Sequence, residues 1–546
     1  MAYLSVPEEA RRLLNILIEK NPALRISKDY AQSNIKFEGG DLPMMPGNMK
    51  SGPFAGAAFA ALGAVADQIA QLRFGTSPSQ IKVDTDHASY FLGCVTLFSA
   101  DGKVGLDCFN LAPKWDGGWW DTPMLKESTA IYKTKDGRFF QLHGDLDASI
   151  LLKDIGLDDK DPKATNDSEA HRIIGDWAKQ YTADELEALM IKLRHSGSKC
   201  YEPEEWLATP MGQALAKRPL FDVRELAPSS VPIPFPTSKN NRILEGIKVV
   251  EMVRVIAGPT IGRTLAEFGA QVIKVNPPHL RDITGLQFTL TAGKHTIGID
   301  ARKPEDKAKL ESLVAEADVF VNGFRPGSLE RLGFGKQRVL ELVQKAKGKD
   351  AGIVYVDENC YGLEGPYNER PGWQQIADAS SGVNIVQGRS LGYSNQAVLP
   401  PLPIADLRGG VAGAISTLIA LRDRAIRGGS YNVVSPLTAV DMFLVSKEVG
   451  LYPPEMVEES RKEFQWGAIT PQDSVLDILT NLTTRWAVTR PDQLDMEKSP
   501  FFARFNDGPF GSMNIIAPVT RIDQYPSKWD HPPRPYCYDQ PTFDYE

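Results

Sequence analysis

A chain of 546 residues is too long for one ordinary hydrophobic core, so two or more lobes are expected. Its 42% hydrophobic and 24% charged residues are those of a soluble globular protein, and a formal net charge of −8 gives no support to a nucleic-acid partner. The five cysteines (Cys94, Cys108, Cys200, Cys360, Cys537) are far apart and the seven histidines are scattered. That argues against a zinc ribbon, a disulfide framework or a metal site, and fits a reducing compartment. No apolar run reaches about 18–20 residues, so no membrane span is expected. The acidic start and the Phe543-Asp544-Tyr545-Glu546 end carry no evident targeting signal, which makes the cytoplasm the expected location.

In chain order, residues 8–20 read as an amphipathic helix and residues 52–74 as an Ala/Gly-rich one. A strand at 79–84 and a helix at 86–98 follow, then a loop of glycine and tryptophan at 116–126. Residues 130–142 read as a hairpin turning at Asp136-Gly137. Residues 145–215 are helical and charged, a small lobe. Between Pro228 and Asn241 several prolines and no periodic pattern mark a semi-stiff linker. From Leu244 strands alternate with helices: 247–252, 271–275, 295–300, 318–323 and 352–357 are the strands. That rhythm predicts a parallel, doubly wound α/β sheet, whose ligands gather beyond the carboxyl ends of the strands. There the chain places Val255-Ile256-Ala257-Gly258-Pro259, Asn322-Gly323-Phe324-Arg325-Pro326-Gly327 and Tyr361-Gly362-Leu363-Glu364-Gly365-Pro366. Arg325 and Arg331 have the chemistry to hold phosphate, or are a solvated pair at a helix start. With no G-x-G-x-x-G and no Walker loop, a nicotinamide or ATP site lacks support.

The segment Pro403-Ile404-Ala405-Asp406-Leu407-Arg408-Gly409-Gly410 opens a helix rich in small residues. A carboxylate at that helix start meets unpaired N–H groups and the positive end of the helix dipole. Asp406 is thus expected ionised, exposed and fixed in direction, as a nucleophile or as an ordinary N-cap.

The ordered set of these segments over residues 244–450 resembles the class III CoA-transferases, the family of formyl-CoA transferase, carnitine CoA-transferase and 2-methylacyl-CoA racemase. The run Leu244-Glu245-Gly246-Ile247, the Ala257-Gly258-Pro259 turn, Gly323-Phe324-Arg325-Pro326-Gly327, Glu330-Arg331-Leu332-Gly333 and the Asp406 segment carry the match. The resemblance implies a Rossmann-like large domain with a smaller α+β domain; the family forms interlocked homodimers, and a chain that holds two halves either interlocks with a second copy or acts as its own pseudo-dimer. It implies coenzyme A, as an acyl-CoA substrate, with a small carboxylic acid as the other substrate and no metal. Asp406 is then the nucleophile, forming an aspartyl mixed anhydride. Val255, Ala257, Gly323, Phe324, Arg325 and Arg331 match CoA-contact positions, with Arg302 and Lys294 as further candidates for its phosphates. Trp373, Gln374, Gly117 and Gly118 match the substrate pocket, and Trp119, Trp120 and Arg408 are candidates to shape it, a cation there favouring a dicarboxylate. Where the racemases carry a His–Asp pair this chain has Trp373-Gln374, neither of which moves a proton from carbon near neutral pH. The arginine common after the second strand is also missing, and Arg281 is the candidate to replace it.

Chains of this kind usually begin at the segment found here at Leu244. Pro46-Gly47-Asn48-Met49-Lys50-Ser51-Gly52 lines up with Ile404-Ala405-Asp406-Leu407-Arg408-Gly409-Gly410, each before an Ala-rich helix. The expected organisation is a degenerate half at 1–227, with a small lobe at about 115–220, and a linker at 228–243. A CoA-binding catalytic domain at 244–455 and an extension at 456–546 that returns to the core complete it. The expected activity is CoA transfer from an acyl-CoA to a carboxylic acid. The alternatives are an acyl-CoA racemase, isomerase or lyase with Asp406 as base, or a non-catalytic CoA-binding scaffold.

Overall fold

The structure, a computed structural model, describes residues 3–117, 121–229, 231–394 and 396–544. The N-terminal part contains a parallel pair, β1 (Ile35–Glu38) and β2 (Ile81–Asp84), joined by helix α1 (Ser51–Phe74) and followed without a gap by α2 (Thr85–Phe91). The hairpin read at 130–142 is present as β3 (Ala130–Lys133) and β4 (Phe139–His143), and gains a third strand, β5 (Ser196–Lys199).

The main sheet has seven strands. In chain order they are β6 (Asp222–Ala227), β7 (Lys248–Met252), β8 (Gln271–Asn276), β9 (Lys294–Gly298), β10 (Val319–Asn322), β11 (Val354–Asn359) and β12 (Ser430–Pro436). Their spatial order is β9-β8-β7-β10-β11-β12-β6, parallel throughout except for β6. Runs such as Val354-Tyr355-Val356 are buried on both faces, as parallel strands covered by helices must be. Order reverses between β7 and β10, so the ligand crevice of a doubly wound sheet opens beyond their carboxyl ends. Around it lie α3 (Ala257–Glu267), α4 (Gln374–Ser381), α5 (Ile404–Arg427) and α6 (Leu437–Leu444).

Three expectations change. The boundary at 228 falls after a strand that belongs to the main sheet, because β6 pairs antiparallel with β12, Val223 opposite Val433. The two halves also share one apolar core that runs from Leu13 through α1 and α5 to Trp529. Secondly, α1 and α5 are long and apolar enough to cross a membrane, because Ala and Gly dilute their few charges; both are almost wholly buried against each other and their neighbours. Thirdly, Asn48 lies before α1 rather than in its first turn, and Lys50 takes the cap position. The C-terminal segment pairs Met513–Ile516 with Phe98–Ala100, and Arg521–Ile522 with β2. It then reaches β9, where the Asp539 N–H donates to the Thr296 carbonyl at 2.7 Å.

α5 is held against α3 by glycines. A Cβ added to Gly410 would lie 2.6 Å from Thr260 Cγ2 and 2.7 Å from the Ala257 carbonyl oxygen. The carbonyl is backbone and cannot rotate away, so Gly410→Ala must push the helices apart. We expect this single methyl to cost about 1–3 kcal/mol of stability, read as a lower midpoint in denaturant unfolding, with activity falling in the protein that remains folded.

Candidate active site

Asp406 lies in the first turn of α5, over the carboxyl ends of the sheet. Pro403 occupies the cap position and no side chain caps this helix, so Asp406 is not the N-cap. It is half-buried rather than exposed. Burial first, and then the charge of Asp441, push its carboxyl up to about 7. The expectation of an exposed, simply ionised carboxylate is corrected on both counts: the dipole of the helix does not outweigh desolvation and a like charge.

Behind Asp406 is a buried polar network. Arg408, 2% exposed, donates from Nε to the Ile404 carbonyl at 2.8 Å and places Nη2 3.3 Å from Asp441 Oδ1. Its guanidinium also lies 5.1 Å from the Phe54 ring centre of α1. Burial lowers Arg408 to about 10, so it stays charged near neutral pH. Asp441 and Asp378 are close enough to act on each other; burial raises both, and Arg408 holds Asp441 the lower of the two. Gln374 donates to Asp378 Oδ2 at 3.0 Å and to the Leu402 carbonyl at 3.1 Å. Gln374, which the sequence matches to the substrate pocket, and Arg408, a candidate to shape it, are therefore internal props bound to groups of the protein itself.

The sheet edge facing Asp406 is built for close approach. Val255, a β-branched residue, has φ +59°, in the left-handed region that such residues rarely enter. Backbone strain of that kind persists only where the surroundings enforce it and gathers at functional sites. Here the Val255 N–H donates to Asp282 Oδ1 at 3.3 Å. Ala257 opens α3, and Gly323 and Phe324 follow β10, the Phe324 N–H bound to Asn322 Oδ1. Glu358, near the end of β11 and 8% exposed, points its carboxyl at this same place: Oε2 would lie 3.2 Å from a Cβ on Gly323 and 3.4 Å from one on Gly258. Burial first, and then Asp406, push Glu358 up to about 8.

The small lobe closes over this edge through Asp145. Its Oδ1 accepts from the Trp373 indole at 2.5 Å and from Ser196 Oγ at 2.6 Å, and Arg325 Nη2 is 3.8 Å from Oδ2. Trp373 also stacks on His143 with ring centres 5.5 Å apart. Beside them Arg281 pairs with Asp147 at 3.4 Å, and a Cβ on Gly117 would lie 3.2 Å from its Nε. Gly117, Arg281, Trp373 and Arg325 thus line one rim. Gly118, Trp119 and Trp120 lie outside the described residues.

The phosphate candidates separate. Arg325 and Arg331 are exposed near the mouth. Arg302 is exposed beyond β9, two strands from β7, with its Nε and Nη2 donating to the Asp300 carboxylate. Lys294 is excluded: it is fully buried, 2.6 Å from Glu251 and donating to the Pro259 carbonyl. Among the described residues no group of His, Cys, Asp and Glu is arranged to hold a metal. Asp145, Glu358, Asp378 and Asp441 were not read from the sequence as site residues. For Glu358 the signal was present, an acid that follows the apolar run Val354-Tyr355-Val356 and lies one residue past the predicted strand end at Asp357.

The family model described as CoA-transferase family III matches residues 244–472. Over 98% of this chain and 95% of the relative, the sequence is 39% identical to an acyl-CoA transferase of Gibberella moniliformis. The chain belongs to CoA-transferase family III. It is also 31% identical to the acetyl-coenzyme A transferase nodX of Hypoxylon pulicicidum, over 99% of this chain and 93% of that one. A crystal structure of a CAIB/BAIF family protein from Brucella suis is similar at 18% identity and a TM-score of 0.40, covering 54% of this chain and 96% of that one. Membership in the family implies a CoA thioester and a carboxylic acid as substrates and supports CoA-transferase activity.

The raised Asp406 carboxyl has a consequence for stability. The folded chain holds its proton up to about pH 7, whereas the unfolded chain releases it near 3.8. Stability from this group is complete below that lower value and is lost as pH rises towards 7. Asp406→Asn removes the ionised form, so its melting temperature should exceed wild type by a few degrees at pH 8 and by less at pH 5, followed by circular dichroism.

Proposed function

We propose that this protein transfers CoA from an acyl-CoA to a carboxylic acid with Asp406 as nucleophile. The carboxylate of Asp406 attacks the thioester carbonyl and gives an aspartyl mixed anhydride and CoA; CoA then attacks the aspartyl carbonyl and expels the donor acid, leaving an aspartyl-CoA thioester. The acceptor carboxylate attacks that thioester to give a second anhydride and CoA, and CoA attacks the acceptor's carbonyl, releasing the new acyl-CoA and the Asp406 carboxylate. Splitting the exchange this way asks only for a positioned nucleophile and stabilised oxyanions. What supports the reading is that Asp406 stands in the first turn of α5, one turn ahead of Gly410 where α5 meets Ala257 and Thr260 of α3, and that its charge acts on Glu358, whose carboxyl lies beside Gly258 and Gly323. Arg325 and Arg331 at the mouth are assigned to the phosphates, and Arg281 on the rim stands in for the missing arginine.

The N-terminal half fits a degenerate copy of the same unit. In both, a 24-residue helix leads into a strand that is parallel to an earlier one and is followed at once by another helix: α1–β2–α2 beside β1, and α5–β12–α6 beside β11. Asn48 cannot form an anhydride, and its position ahead of α1 removes it further from the geometry of Asp406. In this reading the copy supports α5 through Phe54 and carries no chemistry.

Mixing the protein with acetyl-, succinyl-, oxalyl- or branched acyl-CoA and quenching with hydroxylamine should mark Asp406 as a hydroxamate, found by peptide mass spectrometry. Asp406→Asn should abolish label exchange between an acyl-CoA and its free acid while CoA binding persists. Exchange of the α-hydrogen with deuterium, with no CoA moving between acids, would instead support the racemase reading. A separate outcome concerns the mouth. Arg325→Ala should raise KM for the acyl-CoA about tenfold with little change in kcat, as loss of one charge-assisted phosphate contact predicts.

A further inference from the structure

Glu358 has no role in the reaction as written above, yet its placement is costly. It is a carboxyl group more than nine-tenths buried, and its side chain has no hydrogen-bond or ion-pair partner among the described residues. A buried acid left unpaired opposes folding, so a protein that keeps one there has a use for it. Its Oε2 rests against Gly258 and Gly323, the small residues of the edge assigned to CoA, and the ionisable group that acts on it is Asp406. A thioester attacked by Asp406 with its CoA arm on that edge has its sulfur between the two carboxyls.

We propose that Glu358 is a second catalytic residue, the acid that protonates the departing CoA sulfur and the base that reclaims that proton. When an Asp406 oxygen bonds to the thioester carbonyl carbon, the C–S bond breaks with its electron pair going to sulfur, and the Glu358 proton moves to that sulfur. The products are the mixed anhydride, CoA thiol and the Glu358 carboxylate. In the next step the thiol proton returns to Glu358 as sulfur bonds to the aspartyl carbonyl and the released acid leaves with the electron pair of the broken C–O bond. No proton is gained or lost over the cycle, and no other reactant is needed.

The chemistry suits the group. A thiol loses its proton near 8.5, and proton transfer is most effective when donor and acceptor are closely matched. Glu358 raised to about 8 is such a partner, whereas an exposed glutamate, about four units more acidic, is not. The charged and titratable groups around the pair are Asp406 and Arg408 on α5, Asp441 on α6 and Asp378 on α4, with the Cys360 thiol two residues further along the chain and kept protonated by burial. On the strand itself Asp357 is engaged by Lys336 at 2.9 Å. None but Glu358 both faces Asp406 and lies against the glycines of the CoA edge.

The inference rests on the Asp406 reading and is tested apart from it with the full chain, using label exchange of acetyl-CoA with acetate and of succinyl-CoA with succinate. Wild type should show a bell-shaped kcat, its acid limb from Asp406 and its alkaline limb from Glu358, the two apparent values belonging to the coupled pair. Glu358→Gln, nearly the same shape, keeps a hydrogen-bond donor but cannot transfer a proton. It should lower kcat about 10²–10⁴-fold, leave KM for the acyl-CoA within about threefold of wild type, and lose the alkaline limb. CoA binding by calorimetry reports that the variant is folded, and Glu358→Asp, one methylene shorter, should retain the limb at an intermediate rate. A Glu358→Gln enzyme that keeps the alkaline limb, whether at full rate or uniformly slower, overturns the proposal. If hydroxylamine marks Asp406 in wild type, that result refutes Glu358 alone; if it marks no aspartate, the Asp406 reading itself has failed.

Discussion

The approach of α5 to α3 is the contact on which the site depends. Gly410 and Gly413 let one helix backbone settle onto Thr260 and Ile261 of the other, closer than any side chain would allow. This brings the first turn of α5 over the point where the strand order reverses. Without that approach, Asp406 would still start a helix, but it would not face the glycine-lined edge. The choice of small residues in α5 is therefore a statement about distance, and the apolar character they give the helix is a by-product. The same smallness lets α1 pack on the opposite side.

Burial of acids is the second governing feature. Asp406, Glu358, Asp378 and Asp441 are gathered with Arg408 as their cation. Desolvation and mutual repulsion keep protons on part of this cluster near neutral pH, so the site holds both a proton and a negative charge within a small volume. Such an arrangement weakens the folded state, and the surrounding structure must offset it. The apolar core that joins α1, α5 and the sheet supplies that support.

Much of the fold was legible because strand and helix periods differ and alternate cleanly after Leu244, and because Ala/Gly runs mark the two long helices. The boundary at 228 was not, since β6 has no parallel partner pattern and its place depends on β12, far along the chain. At the site, Asp406, Val255 and Gly323 were legible from ordered segments, while the burial of Lys294, Gln374 and Arg408 was not: a lysine on a sheet edge reads as a phosphate ligand until its partner Glu251, 43 residues earlier, is seen beneath it. Asp145 was hidden for a similar reason. It matters only because the small lobe folds back onto Arg325 and Trp373, a contact that no local pattern encodes. Polarity was visible in the sequence; which charges face one another was decided by tertiary contacts.

The way the tail is woven through the molecule bears on how it is made. Strand β2 is completed by Arg521–Ile522, and Lys82 meets Asp523 from 441 residues away. β6 likewise waits for β12. A ribosome adding residues at about 5–20 per second leaves these edges unpaired for tens of seconds after they emerge. The N-terminal half therefore cannot finish as a nascent domain, and its open strand edge must be shielded until synthesis ends. Truncation from the C-terminus would harm the first-made half of the protein as much as the last.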